Sequence, residues 1–261
     1  MRVVRVEHDG AVRFGIAHAG SSQVDLLASD PFSAADREQV IGSVALDACR
    51  LLVPVQPTKI LAVGRNYAAH AAEMNLELGA VPSVFMKPLQ TLLPHGGQVV
   101  LPDLALSTKV QHEGELAVVI GAAARNVRKE DADSYILGYT CADDVSARDL
   151  QKGDPQITRG KGFDTFCPLG PHVETDVSVA RTYEVTCTVN GDLRQKGTTD
   201  DMIFDIPTQI EFLSAFTTLV PGDIILTGSP VGTGDLVPGD EVEVSIEGVG
   251  ALRHSVVAYA G

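Results

Sequence analysis

Along most of the chain, apolar and polar residues alternate in short runs bounded by Gly, Pro, Asn and Asp, the pattern of half-buried strands. VVRVE and VRFGIAH flank Asp9-Gly10 and read as a hairpin, followed by ADREQVIGSVA, which is weakly helical. Pro54 and Pro57 then punctuate the chain. We divide it there into a small N-terminal α/β appendage, residues 1–55, and a larger unit, residues 56–261. From Lys59 onward KILAV, SVFMK, QVVLP, ELAVVIG and YILGYT read as strands, and YEVTCTVNGDLRQKG as a hairpin turning at Asn190-Gly191. Pro221-Gly222-Asp223 and Pro238-Gly239-Asp240 each introduce a β-rich run, DIILTG and DEVEVSI. One clear helix is predicted in PTQIEFLSAFTTL, where Ile210, Leu213 and Phe216 recur at helical spacing behind Pro207. AVGRNYAAHAAEMNLELG reads as a strand, a glycine turn and a short helix capped by Asn66. The fold class is therefore α+β, mainly β, and no internal repeat is visible.

Charge narrows the partners. A net charge of −14 over 261 residues argues against nucleic acid or an anionic membrane, while a small anionic substrate stays compatible if a cation lines the cleft. MRVVRVEHDG lacks the apolar core of a signal peptide, and no run reaches the length of a membrane span. Cys49, Cys141, Cys167 and Cys187 are scattered, without a CxxC pair, and read as reduced thiols of a cytoplasmic protein.

Three acids stand inside segments that otherwise read as buried strand. In VQHEGELAVVIG, Glu113 and Glu115 are spaced i, i+2, so an extended backbone points both to one face, and Asp144 ends the apolar stretch of YILGYTCADD. Such carboxylates are paired with Lys or Arg, line a solvated sheet face, or hold a cation, because a lone buried charge costs several kcal/mol or more. All-oxygen ligation would select Mg²⁺, Mn²⁺ or Ca²⁺. His112 points to the opposite face of its strand and is read as a non-ligand.

On the short helix Asn66, His70, Glu73 and Glu77 form one stripe beside an apolar one of Tyr67, Ala71, Met74 and Leu78. His70 and Glu73 are close enough to touch, which suits either a general base acting on water or a solvated polar face. Lys161, between glycines in TRGKGFDTF, reads as a surface loop lysine or as a cation beside a developing enolate. Arg148 and Gln151 would share one helical side with Asp144 and read a substrate carboxylate, or simply hold their loop. LTGSPVGTGD lacks the ending of a P-loop and is not followed by a helix. It reads as a tight turn that is structural or offers backbone N–H groups and Ser229 to an anion.

In this order GRNYAAHAAEM, FMKP, HEGELAVVIG, GYTCADDVSARDLQ, RGKGFDTFCPLGP, NGDLRQKGTTDDMIF and GDIILTGSPVGTG resemble the fumarylacetoacetate hydrolase family, in particular its small acylpyruvase-like and 2-hydroxyhepta-2,4-diene-1,7-dioate isomerase-like members. The resemblance covers nearly all of residues 59–261. It implies a mixed β-sandwich roll, a homodimer, and Mg²⁺ or Mn²⁺ (Ca²⁺ in crystals) held by Glu113, Glu115 and Asp144. It implies a catalytic Lys161 beside the metal and a His70–Glu73 dyad on a closing segment. Arg148, Gln151 and Ser229, with Arg65, Tyr67 and Lys87 from the same motifs, are assigned to the substrate pocket. Two positions depart from the family pattern: Asp143 stands where Asn is common, and Gln111 where an acid is frequent. The activity it implies is hydrolytic C–C cleavage of a 2,4-diketo acid through a pyruvate enolate, in aromatic catabolism. Oxaloacetate decarboxylation and dienoate isomerisation are the alternatives on the same scaffold, and a structural metal-binding protein is the non-enzymatic one.

Overall fold

The structure, a computed structural model, describes residues 1–74 and 78–261. Among the described residues the architecture is mainly β: a 12-stranded sheet, a five-stranded sheet and a two-stranded ribbon, with short helices at their ends. The centre of the large sheet is Gly114–Ile120, antiparallel to Ile136–Asp143 on one side and to Ile224–Leu226 on the other. Ile60–Gly64 runs parallel to Ile224–Leu226 and antiparallel to Ser83–Lys87. Glu184–Val189, Asp192–Thr198, Glu241–Ile246 and Gly250–Val257, with Gln98–Val100 at its edge, build the smaller sheet.

Gly114–Ile120 is buried on both faces, and its period of two separates two cores. Leu116 and Val118 join Tyr139, Val185, Cys187, Val244 and Leu252 between the sheets. Ala117 and Val119 pack instead with Ile60, Ala62, Ile224 and Leu226. The sheets approach so closely at Gly114 that an added Cβ would lie 3.1 Å from Cys187 Cβ and 3.2 Å from both methyls of Val244. A side chain between Glu113 and Glu115 would thus force Cys187 or Val244 to give way by a few tenths of an ångström.

The first 51 residues extend the large sheet. Arg2–His8 pairs with Cys167–Glu174, in register Arg2 to Glu174, and with Ala11–Ala17 across the Asp9-Gly10 turn. The expected helix in ADREQVIGSVA is confined to Ala34–Arg37, where Ser33 caps Asp36 N–H. Val40–Ala45 is a strand against Gln23–Leu27, where ladder hydrogen bonds and β-branched side chains override a weak helical period. Asn190 and Gly191 have φ of 53° and 83°, the pair of positive values a type I′ turn requires. The helix Ile206–Phe216 starts as predicted, with Asp205 accepting from Thr208 N–H and Pro207 in the first turn.

Both Pro-Gly-Asp turns are closed by their aspartate, which accepts the N–H three residues back: Val220 to Asp223 and Val237 to Asp240, each at 2.8 Å. Asp223 is fully buried and also accepts from Thr58 N–H, Thr58 Oγ1, Lys59 N–H and Lys59 Nζ at 2.5–3.1 Å. It ties the start of Ile60–Gly64 to the start of its parallel neighbour. Asp223→Ala strands those donors and is expected to destabilise the protein by about 3–5 kcal/mol in denaturant melts.

Candidate active site

Glu113, Glu115 and Asp144 converge at the end of the central strand pair, buried, with one oxygen from each within 4.8 Å of the others. Register explains the convergence. Gly114 pairs with Asp143, so Glu113 and Glu115 straddle the strand end from which Asp144 leaves, and Asp144 N–H donates to Glu113 C=O at 2.9 Å. Cations surround two of the three acids. Lys161 Nζ lies 2.6 Å from Glu113 Oε2 and 2.5 Å from Asp144 Oδ2, Lys87 Nζ lies 2.6 Å from Asp144 Oδ1, and Arg148 Nη2 donates to Glu113 Oε1. Glu115 accepts from Gly228 N–H at 2.7 Å.

This asymmetry sets the protonation equilibria. Burial alone would raise the Glu113 carboxyl, but Arg148, Lys161 and His70 hold it well below the ordinary carboxylate value. Glu115 is pushed well above that value, by burial first and then by the charges of Asp144 and Glu113. Burial opposes the Lys161 ammonium, yet Asp144 and Glu113 raise it above the ordinary lysine value.

His70 sits on the helix Ala68–Glu73 at the cleft wall. Its Nδ1 is 3.0 Å from Glu73 Oε2 and its Nε2 is 3.4 Å from Glu113 Oε1. Burial disfavours the imidazolium, but the hydrogen bond and charge of Glu113 outweigh it and raise the ring above its ordinary value. Glu73 is anchored in turn by Gly232 N–H, at 3.2 Å to Oε1, so the glycine-rich loop holds the dyad. Glu77, placed on the same stripe by periodicity, lies outside the described residues.

The cleft has a volume of about 1000 Å³. Its lining brings together Arg65, His70, Glu73, Glu113, Glu115, Asp144, Arg148, Gln151, Lys161 and Ser229, all of them expected from sequence. Tyr67 and Lys87 do not line it. Tyr67 is buried in the core, because it is the last residue before the helix and faces the sheet, and Lys87 reaches Asp144 from behind. Asn66 does not cap the helix: Tyr67 occupies the cap position, and the Asn66 side chain donates to Phe204 and Thr227 carbonyls and accepts from Phe204 N–H. Lys161 is no surface loop residue but ends the helix Thr158–Lys161, 2% exposed, its ammonium 5.2 Å from the Phe85 ring centre. Asp144 does not share a helical face with Arg148 and Gln151, since the short strand Ser146–Ala147 intervenes before the helix Arg148–Gln151. Arg148 braces rather than projects: besides Glu113 it donates to Gln111 Oε1 at 2.8 Å and Gln151 Oε1 at 2.7 Å. Gln111 passes this contact on, its Nε2 donating to Asp235 Oδ1 at 2.7 Å. Ser229 Oγ donates to Gly114 C=O and accepts from Gln195 Nε2.

Gln195, unnoticed in the sequence, organises the floor of the site. It accepts from Gly114 N–H at 2.9 Å, meets His112 Nδ1 at 2.9 Å, and donates to Ser229 Oγ and Pro230 C=O. Its signal was an uncharged polar residue alternating into a strand whose exposed neighbours are charged, but alternation alone does not distinguish an inward Gln from an outward one. His112 is bound here, outside the carboxylate cluster.

The donor set fits a hard divalent cation. Three buried carboxylates offer oxygen only, two of them already hold the Lys161 ammonium between them, and the third has no cationic partner within ion-pair distance among the described residues.

The profile of the fumarylacetoacetate hydrolase C-terminal family matches residues 59–257, and an N-terminal family described as Rv2993c-like matches residues 1–54. The chain belongs to the fumarylacetoacetate hydrolase family. It is 40% identical to the oxaloacetate tautomerase YisK of Bacillus subtilis over 81% of this chain and 74% of that one. The crystal structure of 5-carboxymethyl-2-hydroxymuconate delta-isomerase from Mycobacterium smegmatis superposes with a TM-score of 0.91, at 39% identity over 99% and 100% of the two chains. A maleylpyruvate hydrolase from Sphingobium sp. SYK-6, in complex with manganese(II) and pyruvate, superposes with a TM-score of 0.80, at 32% identity over 99% of each chain. Enzymes of the family thus include hydrolases, isomerases and tautomerases.

Gln195→Leu strands Gly114 N–H, His112 and Ser229 together. It is expected to cost roughly 3 kcal/mol, read as a fall in Tm of about 6–12 °C by calorimetry.

Proposed function

We propose that this protein is a divalent-metal-dependent enzyme that converts a small 2-oxo acid through its enolate, and that its reaction is hydrolytic C–C cleavage of a 2,4-dioxo acid of the acylpyruvate type. The observation that carries the reading is the meeting, in one cleft, of the buried carboxylate trio with an anchored His–Glu dyad. A Mg²⁺ or Mn²⁺ held by Glu113, Glu115 and Asp144 supplies Lewis acidity toward the adjacent carboxylate and keto oxygens of the substrate. His70, oriented by Glu73, takes a proton from water as the water oxygen bonds to the 4-carbonyl carbon. The C3–C4 bond then breaks, its electron pair passes to the pyruvate enolate, and a proton delivered to C3 completes pyruvate and a carboxylic acid. The Lys161 ammonium favours the negative charge as it develops. Val84, Phe85 and Met74 give the cleft an apolar wall suited to the acyl group.

A second reading is keto–enol tautomerisation of oxaloacetate, in which His70 moves a proton instead of activating water. It is favoured by the likeness to the tautomerase YisK.

Turnover of acetylpyruvate, fumarylpyruvate and enol-oxaloacetate with Mg²⁺ or Mn²⁺ decides between the two. The first reading predicts pyruvate release from the dioxo acids, and its absence together with oxaloacetate ketonisation would replace it by the second. Asp144→Ala is expected to abolish metal binding and turnover together. His70→Gln is expected to slow hydrolysis by about 10²–10⁴-fold while leaving Mg²⁺-dependent oxalate binding within a few-fold of wild type.

A further inference from the structure

Asp143 adds no charge to the open side of the carboxylate cluster. Both of its oxygens are engaged: Oδ1 accepts Glu113 N–H at 2.7 Å and Oδ2 lies 2.8 Å from His254 Nε2. Asp143 and His254 are each fully buried, and His254 stands on Gly250–Val257, a strand of the smaller sheet, opposite Val242. The imidazole therefore reaches from one sheet to the other to grip the residue between two parts of the site. One neighbour of Asp143 in the chain is Asp144, and its hydrogen-bonded partner across the strands is Glu113. The contact uses Nε2, and Nδ1 is left without a partner among the described residues. An unpartnered buried ring nitrogen is a cost that sheet packing alone does not call for, since an apolar side chain would fill the same place without it.

We propose that Asp143 and His254 form a positioning pair that sets the spacing of Glu113 and Asp144, so that the cation affinity of the site depends on a residue of the opposite sheet. The inference rests on the metal-dependent reading above. Removing the imidazole leaves a buried carboxylate without its donor. Among the described residues Asp143 is then held through the Glu113 N–H alone, so any movement of its carboxylate is passed directly to the Glu113 backbone. Partners of this kind, one shell out from the ligands, typically change metal affinity by about 10–100-fold.

The test is Mn²⁺ binding by calorimetry, at a temperature where circular dichroism shows each variant folded. His254→Leu is expected to weaken Mn²⁺ binding by about 10–100-fold. Asp143→Asn keeps an oxygen for Glu113 N–H and removes the charge, so the double variant Asp143→Asn/His254→Leu is expected to return to within a few-fold of Asp143→Asn alone. That rescue is what a positioning role requires. Mn²⁺ affinities within two-fold of wild type in every variant, with only Tm lowered, would overturn the proposal and leave the pair as a link between sheets. Failure of the wild type itself to bind Mn²⁺ or Mg²⁺ would overturn the metal-dependent reading and this inference with it.

Discussion

The structure turns on the cost of placing three carboxylates out of water at the end of one strand pair. Around Glu113, Glu115 and Asp144 the chain arranges Arg148, Lys161 and Lys87, all buried, at hydrogen-bonding distance. Burying these acids calls for partners that are themselves held: cations for Glu113 and Asp144, and the Gly228 N–H for Glu115. This explains why Gln111 and Gln151 grip Arg148, why Phe85 lies near Lys161, and why Gln195 and Ser229 fix the backbone of Gly114 between the two glutamates.

The same constraint organises the fold around the site. Gly114–Ile120 is buried on both faces, so its polar end can open only toward the cleft, where the helix bearing His70 and the glycine-rich loop meet through Glu73 and Gly232. Asp223 joins the parallel strands that carry this loop and the His70 helix. The N-terminal strands lie on the far side of the large sheet's order, joined through Arg2–His8 to Cys167–Glu174.

Much of this was readable from the residues. The i, i+2 spacing of Glu113 and Glu115, the acid ending YILGYTCADD, and the i, i+3 pair His70–Glu73 are local patterns, and local geometry carries them into the structure. The Asn190-Gly191 turn and the helix behind Asp205 are legible for the same reason. What escaped depends on contacts distant in sequence. Asn66 looks like a helix cap until Phe204 and Thr227 offer it better partners, and Lys161 looks like a loop lysine until Glu113 and Asp144 draw it inward. Tyr67 and Lys87 belong to motifs of the pocket yet point into the core and behind Asp144. Arg148 has the chemistry of a carboxylate reader, but three side chains claim its guanidinium.

Whether the buried trio is an enzyme's metal centre or a self-contained ion-pair network is therefore the question on which the account stands. Calorimetric titration with oxalate, a stable mimic of the carboxylate and keto oxygens of a 2-oxo acid, answers it most directly. Oxalate is expected to bind in the presence of Mn²⁺ or Mg²⁺ and to fail to bind when the cation is chelated. Oxalate binding of equal strength without the cation, or none with it, would contradict the account.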